Sequence, residues 1–216
     1  MGELIQHLVK LFTKSDEYWK EVSTKPGEIK TLLVPQILIL AAIPMVAQFF
    51  GLFLGSIPLL QNGYGGRVFW MGVYGLVIGY PISIAMWIAL GHVIDALATN
   101  FGAQKNLGQS FKLASGAMTP IWLAGVFYFL PFPAIGWLAT LAGFAYGSYV
   151  LYLGLPIMNT TPKEKAAAYA LVSMGILIIL SFVFFSILYI PRACCLGAAQ
   201  LASGGILAFY SAVLNN

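Results

Sequence analysis

The sequence predicts an all-α, polytopic transmembrane helical bundle. Three observations predict it. Only 11 basic and 7 acidic residues occur among 216, where a soluble domain has about a quarter of its residues charged. Sixty per cent of the residues are hydrophobic and the mean hydropathy is +0.86, so a water-soluble globule would expose more apolar area than a monomer tolerates. The charge-free stretches are also long enough for helices of about 20 residues, the length that crosses a hydrocarbon core roughly 30 Å thick.

The first 30 residues hold five Lys and five acids, leaving six basic and two acidic residues for the other 186. This charged segment lacks the apolar run and small-residue cleavage site of a secretory signal. Leu4, Ile5, Leu8, Leu11 and Phe12 recur on one helical face, with Glu3, His7, Lys10 and Lys14 on others. That pattern suits an amphipathic helix lying in the headgroup plane or packed on the protein's own surface. A second short helix is expected to start at Ser15 as its cap and to end before Pro26 and Gly27, bringing Trp19 to the interface.

Five spans follow, over residues 32–54, 68–90, 113–130, 134–155 and 166–190. The third and fourth are separated only by Pro131, Phe132 and Pro133, which cannot continue a helix and make a tight hairpin. Thr161, Pro162, Lys163 and Glu164 read as a capping box opening the fifth span. Beyond it, residues 191–216 form an uncharged tail containing Gln200, Gly204 and Gly205. A sixth span over 193–214 and a helix at the outer face are the competing readings, because its hydropathy is marginal for insertion.

Orientation follows from Lys and Arg, which are retained on the cytoplasmic side. The N-terminal segment, Lys105, Lys112, Lys163 and Lys165 put nine basic residues on one side, against Arg67 and Arg192 on the other. The N-terminus is therefore expected to be cytoplasmic. Trp70, Tyr128, Trp137 and Tyr189 then fall near outer ends of spans, as an interfacial aromatic belt requires. Six cations dispersed over 186 residues make no basic patch, so nucleic acid is not an expected partner. The only cysteines, Cys194 and Cys195, are adjacent and form no disulfide framework.

The landmarks have a recognisable order: YWKEV (18–22), AAIPMVAQFFG (41–51), FGAQKNLGQSFKLASGAMTP (101–120), YLGLP (152–156) and TPKEKA (161–166). Together they resemble the bacterial inner-membrane branch of the Yip1 family, over roughly residues 10 to 190. The resemblance implies a five-helix membrane domain over 31–190 with a cytoplasmic N-terminus and a multi-pass location in the inner membrane. Eukaryotic members are associated with Rab GTPases through a long cytoplasmic N-terminal region, which here is only the segment 1–30. The resemblance brings no catalytic residue and no biochemical activity, and the tail beyond about Ile190 departs from it.

Two groups of residues are candidates for chemistry. Pro44, Pro81 and Pro120 sit near the centres of three spans, where each removes a helix donor and is expected to kink or break its helix. Broken helices at the midplane build solute sites in transporters, and Gln48, Ser83, Ser115 and Thr119 lie at comparable depth. The competing reading is that neighbouring hydroxyls re-satisfy the backbone and the prolines are structural. His92 and Asp95 share a helix face at i, i+3, as an acid–imidazole pair or as interfacial anchors of the following loop. Three Gly pairs have GxxxG spacing, 51/55, 75/79 and 143/147, so close helix contact or a homo-oligomer is open.

Enzyme signatures are lacking. HExxH, Gly-rich phosphate loops and paired Cys ligands do not occur, and no His follows Ser115 to serve it as a base. With His7 and His92 alone, no metal site and no cofactor are expected. The leading reading is a non-enzymatic protein that acts in membrane organisation through contacts with membrane lipids or protein partners. The alternative is a small-solute or ion transporter or channel component, with its site at the proline breaks.

Overall fold

The computed structural model describes residues 2–24, 34–61 and 63–202. Eight α-helices follow in order: α1 (Gly2–Thr13), α2 (Ser15–Thr24), α3 (Val34–Gly55), α4 (Ile57–Gln61), α5 (Gly65–Leu97), α6 (Leu107–Ala124), α7 (Pro133–Met158) and α8 (Lys163–Ala202). Short 3₁₀ turns extend α5 over Ala98–Phe101 and α6 over Gly125–Phe129. No strand occurs among the described residues.

Among the described residues, four helical stretches are long and apolar enough to cross a membrane: Gln36–Gly55, Gly65–Phe101, Ala134–Met158 and Lys163–Phe184. They correspond to the first, second, fourth and fifth expected spans. The third corresponds to α6, which is not of that kind. It is 18 residues long, and residues 112–120 are buried without interruption. A helix buried all round needs no lipid-facing stripe. Lys112, Ser115, Gly116 and Thr119 are tolerated there because α5, α7 and α3 enclose it.

Hydroxyl and indole bonds pin α6 to its neighbours. Trp87 Nε1 on α5 donates to Ser115 Oγ at 3.0 Å, and Trp122 Nε1 on α6 donates to Ser83 Oγ at 2.9 Å. The α6–α7 contact is close for another reason: a Cβ on Gly147 would lie 2.4 Å from the Ala117 carbonyl oxygen, and one on Gly143 would lie 3.0 Å from Ile121 Cα. This GxxxG pair therefore serves packing within the chain.

The N-terminal helices are part of the bundle. Lys14 N bonds to the Lys10 carbonyl and Tyr18 N to the Lys14 carbonyl, and Ser15 Oγ donates back to the Leu11 carbonyl. Ser15 thus closes α1 instead of capping α2, since its hydroxyl finds a carbonyl one turn earlier. Trp19, expected at the interface, is fully buried at 0% exposure. Its indole fills a slot in which a Cβ on Gly116 would come within 2.5 Å and one on Gly154 within 2.7 Å. Lys112, only 3% exposed, donates from Nζ to the Val22 carbonyl at 2.9 Å near the C-terminus of α2, where a cation is favoured. Phe12 stacks on Tyr146 at 5.2 Å between ring centroids.

Two boundaries differ from expectation. The capping box does not form: α8 begins at Lys163, and Thr161 Oγ1 meets no hydrogen-bonding partner among the described residues. Thr160, in the left-handed region at φ 51°, redirects the chain just ahead of it. At the other end, α8 does not stop at Ile190 but runs through Pro191 to Ala202, 40 residues in all. Residues 193–202 thus continue one helix and cannot turn back as a separate span. The remainder of the tail, with Gly204 and Gly205, lies outside the described residues, as does the expected end of α2 at Pro26 and Gly27.

Candidate functional site

A cavity opens among α3, α5, α7 and α8, in the half of the bundle away from α1 and α2. It has a volume of about 260 Å³, and a second compartment of about 180 Å³ shares Pro44, Met45, Ile82, Met86, Thr140 and Ser181 with it. Its walls are mostly side chains such as Leu141, Phe144, Ile178 and Phe182. The polar exceptions are Gln48, Tyr128, Thr140 and Ser181, with Ser83 in the second compartment.

Most of those polar groups are already engaged. Thr140 Oγ1 lies 3.0 Å from the Tyr128 hydroxyl and 2.9 Å from the Gly136 carbonyl, and Ser181 Oγ donates to the Ile178 carbonyl at 2.6 Å. Ser83 accepts from Trp122. What the cavity offers is therefore chiefly dispersion and an apolar surface, with the amphipathic side chains of Tyr128 and Trp137 in its lining. Pockets that bind apolar ligands have this composition, a greasy wall with a few placed polar groups.

Pro44, Gln48 and Ser83 line the cavity, whereas Pro81, Ser115, Thr119 and Pro120 do not. Helices α3, α5 and α6 run unbroken through their prolines, so no broken helix forms. Pro44 instead packs where Gly125 lacks a side chain; a Cβ there would sit 2.4 Å from Pro44 Cβ. In α6, Thr119 Oγ1 donates to the Ser115 carbonyl and Ser115 Oγ to the Phe111 carbonyl, each at 2.8 Å. Both bonds run back along the helix to carbonyls other than that of Gly116, the one that Pro120 leaves without its helical donor. Met86 and Thr140, which the sequence does not single out, look individually like ordinary span residues, and Tyr128 is expected only as a belt aromatic.

His92 and Asp95 occupy the last two turns of α5 but face different surroundings. His92 is exposed and meets Phe111 edge-on at 5.4 Å between centroids. Asp95 turns one carboxylate oxygen into the protein, where Oδ1 is buried without a hydrogen-bonding partner among the described residues. No hydrogen bond joins the two among the described residues. Nor does any group of three or more His, Cys, Asp or Glu side chains that could hold a metal ion occur there.

Comparison with known proteins adds a family. The profile of the Yip1 domain matches residues 9–185. Inner membrane protein YohC of Escherichia coli strain K12 is 24% identical over 184 residues, which cover 81% of this chain and 91% of that protein. The YohC of Escherichia coli O6:H1 strain CFT073 matches to the same extent. No solved structure matches the chain.

Proposed function

The chain belongs to the Yip1 family, and from that premise we propose that it is a five-span, non-enzymatic protein of the bacterial inner membrane that organises lipid by seating an acyl chain in its intramembrane cavity. The inner-membrane location draws on the name of the Escherichia coli relative. The cytoplasmic placement of α1 and α2 draws on nine basic residues at that end against two at the other. Helix α6 is taken as the third of the five spans, sheltered from lipid by its neighbours.

The observation that carries the lipid reading is the cavity lining, mostly apolar with a few polar side chains, Gln48, Tyr128, Thr140 and Ser181. An acyl chain matches such a lining by dispersion and exclusion from water. The family match itself assigns no chemistry, and no acid–base pair borders the cavity.

Photo-crosslinking tests this. Phospholipid carrying a diazirine in its acyl chain, incorporated with the full chain in bilayer nanodiscs, should label cavity residues such as Met45, Ile82 and Leu141. Ser181→Phe, on the wall common to both compartments, should abolish that labelling while leaving label on the exposed Leu171 and Ile179. Equal labelling of cavity and outer surface in both proteins would refute the reading. The transport alternative draws on Pro44, Gln48 and Ser83 lining the same cavity. It requires solute or ion flux in proteoliposomes that Gln48→Leu removes.

A further inference from the structure

The charged hairpin of α1 and α2 reaches far along α7. Phe12, near the end of α1, stacks on Tyr146 at 5.2 Å between centroids, and the Tyr146 hydroxyl donates to the Phe12 carbonyl at 3.2 Å. Trp19 on α2 bonds to the Val150 carbonyl and rests where Gly154 lacks a side chain. One turn later the Val22 carbonyl meets Lys112, whose neighbour Leu113 also lies against Gly154. Helix α2 therefore runs from the level of Tyr146 toward the Met158 end of α7. The turn between α1 and α2 is its deepest part, and there Lys14, Asp16 and Glu17 are all exposed, with Lys14 and Glu17 paired at 3.3 Å.

That level is halfway along a membrane helix. Since α7 runs from Pro133 to Met158, Tyr146 stands about 20 Å from its first residue and about 18 Å from its last. Charged side chains are costly in hydrocarbon, and a lysine escapes it only by the length of its own stem. The edge of the hydrocarbon on this face must then lie near Tyr146, and tilting α7 only brings that edge closer to the opposite one. The composition of α7 divides at the same point. Tyr146, Tyr149 and Tyr152 all fall in its second half and no tyrosine in its first. Tyr149 and Tyr152 are exposed, and such phenols sit at headgroup level. On α5, by contrast, no acidic or basic residue separates Arg67 from His92, about 37 Å of helix. A core of roughly 30 Å fits there.

We propose that phospholipid headgroups of the leaflet on the α1–α2 side bend inward to meet this turn, so that the protein thins the bilayer along α7. The hydrocarbon there falls from roughly 30 Å to about 20 Å. The turn carries both signs, Lys14 beside Asp16 and Glu17, and so complements the phosphate and ammonium of a zwitterionic lipid. A span shorter than the hydrocarbon around it is accommodated by thinning, and short acyl chains reduce the mismatch. The inference rests on α7 as a membrane-crossing helix and is independent of what occupies the cavity.

The test uses the full chain in nanodiscs of dioleoyl phosphatidylcholine, with Cys194 and Cys195 replaced by Ser and a nitroxide on one introduced cysteine. Collision with a water-soluble nickel chelate should dominate at Asp16→Cys and Phe132→Cys. Collision with oxygen should dominate at Leu138→Cys, an exposed position on the short segment between them. In a competition of brominated lipids read by tryptophan quenching, dimyristoleoyl phosphatidylcholine should be preferred over dierucoyl phosphatidylcholine by about threefold. The triple variant Lys14→Leu, Asp16→Leu, Glu17→Leu should lose this preference, because an apolar turn can rest in hydrocarbon. An Asp16→Cys label met by oxygen alone, no preference in the parent, or a preference retained in the triple variant would overturn the inference and leave α7 as a span. A Phe132→Cys label shielded from nickel would overturn both, since the α6–α7 hairpin would then end inside the core.

Discussion

The indole nitrogen of Trp19 donates to the backbone carbonyl of Val150 at 3.2 Å, joining residues 131 positions apart. The contact places a side chain from a short, charged N-terminal helix between two membrane helices. It succeeds because α6 and α7 each present a glycine, Gly116 and Gly154, where a Cβ would strike the ring. The N-terminal segment is thereby a structural part of the bundle.

Removing the indole should be costly, since Trp→Ala at a fully packed site loses about 3–5 kcal/mol. Gly154→Ala should cost about 1–3 kcal/mol by overpacking, because its new methyl meets Trp19 and Leu113. The two changes should not add: the methyl of Gly154→Ala occupies part of the space left by Trp19→Ala. Thermal unfolding of the two single variants and the double variant measures this coupling. Strict additivity would mean that the ring does not rest on Gly154.

Alkaline pH should loosen the same helix. Burial, and secondarily the Glu21 carboxylate, pushes the Tyr18 phenol up from 10.0 to about 12. Below pH 10 the phenol is neutral in both states and its burial contributes fully. Between pH 10 and 12 only the unfolded chain ionises, so stability falls with rising pH, by at most about 3 kcal/mol. Tyr18→Phe should flatten this part of the stability profile relative to the parent, as read by unfolding at pH 9, 10.5 and 12. An unchanged difference between the two proteins across that range would count against a buried phenol.

The glycines of the first GxxxG pair should behave oppositely. A Cβ on Gly51 would stand 1.9 Å from the Tyr128 carbonyl oxygen, whereas one on Gly55 meets nothing within 4 Å. Gly51→Ala must therefore push α3 away from the 3₁₀ segment after α6, at about 1–3 kcal/mol. Gly55→Ala should be neutral or slightly stabilising, because alanine is the better helix former by about 1 kcal/mol. Comparison of melting temperatures decides it, and a larger loss for Gly55→Ala would point to a contact between chains at that face.

The sequence was most legible where length and period decide the outcome. Apolar runs located α3 and α7 to within a few residues at both ends, whereas α5 and α8 start within a few residues of expectation but run on to Leu97 and Ala202, well past the expected ends at 90 and 190; the Pro131–Pro133 turn was visible because proline chemistry is local. Contacts between distant residues were not legible. Gly116 and Gly154 are unremarkable in sequence and become a slot only when α6 and α7 pack. Thr161 has the right neighbours for a capping box, yet the left-handed turn at Thr160 leaves its hydroxyl without that role. Of the residues chosen for their position beside the prolines, Pro44, Gln48 and Ser83 line the cavity, and Pro81, Ser115, Thr119 and Pro120 do not. The expected helix breaks did not follow, since a proline inside a packed bundle can be absorbed by its neighbours.

The five-span reading turns on α6, and its direction across the membrane can be measured. Its 18 helical residues and the five-residue 3₁₀ segment that continues them rise about 37 Å together, enough to cross a core roughly 30 Å thick. Lys105 before α6 and Phe132 after its 3₁₀ extension should then lie on opposite faces of the membrane. Single cysteines at Lys105, Lys165, Arg67 and Phe132, in a chain whose Cys194 and Cys195 are replaced by Ser, report this with a membrane-impermeant maleimide. Lys105→Cys and Lys165→Cys should react in inside-out vesicles, and Arg67→Cys and Phe132→Cys in intact spheroplasts. Labelling of Lys105→Cys and Phe132→Cys from the same face would make α6 a buried re-entrant helix, leaving four spans. It would also change the face on which residues after α6 emerge, moving Lys163 and Lys165 to the face of Arg67 and Arg192 to that of the N-terminus, so that the basic residues divide eight to three instead of nine to two.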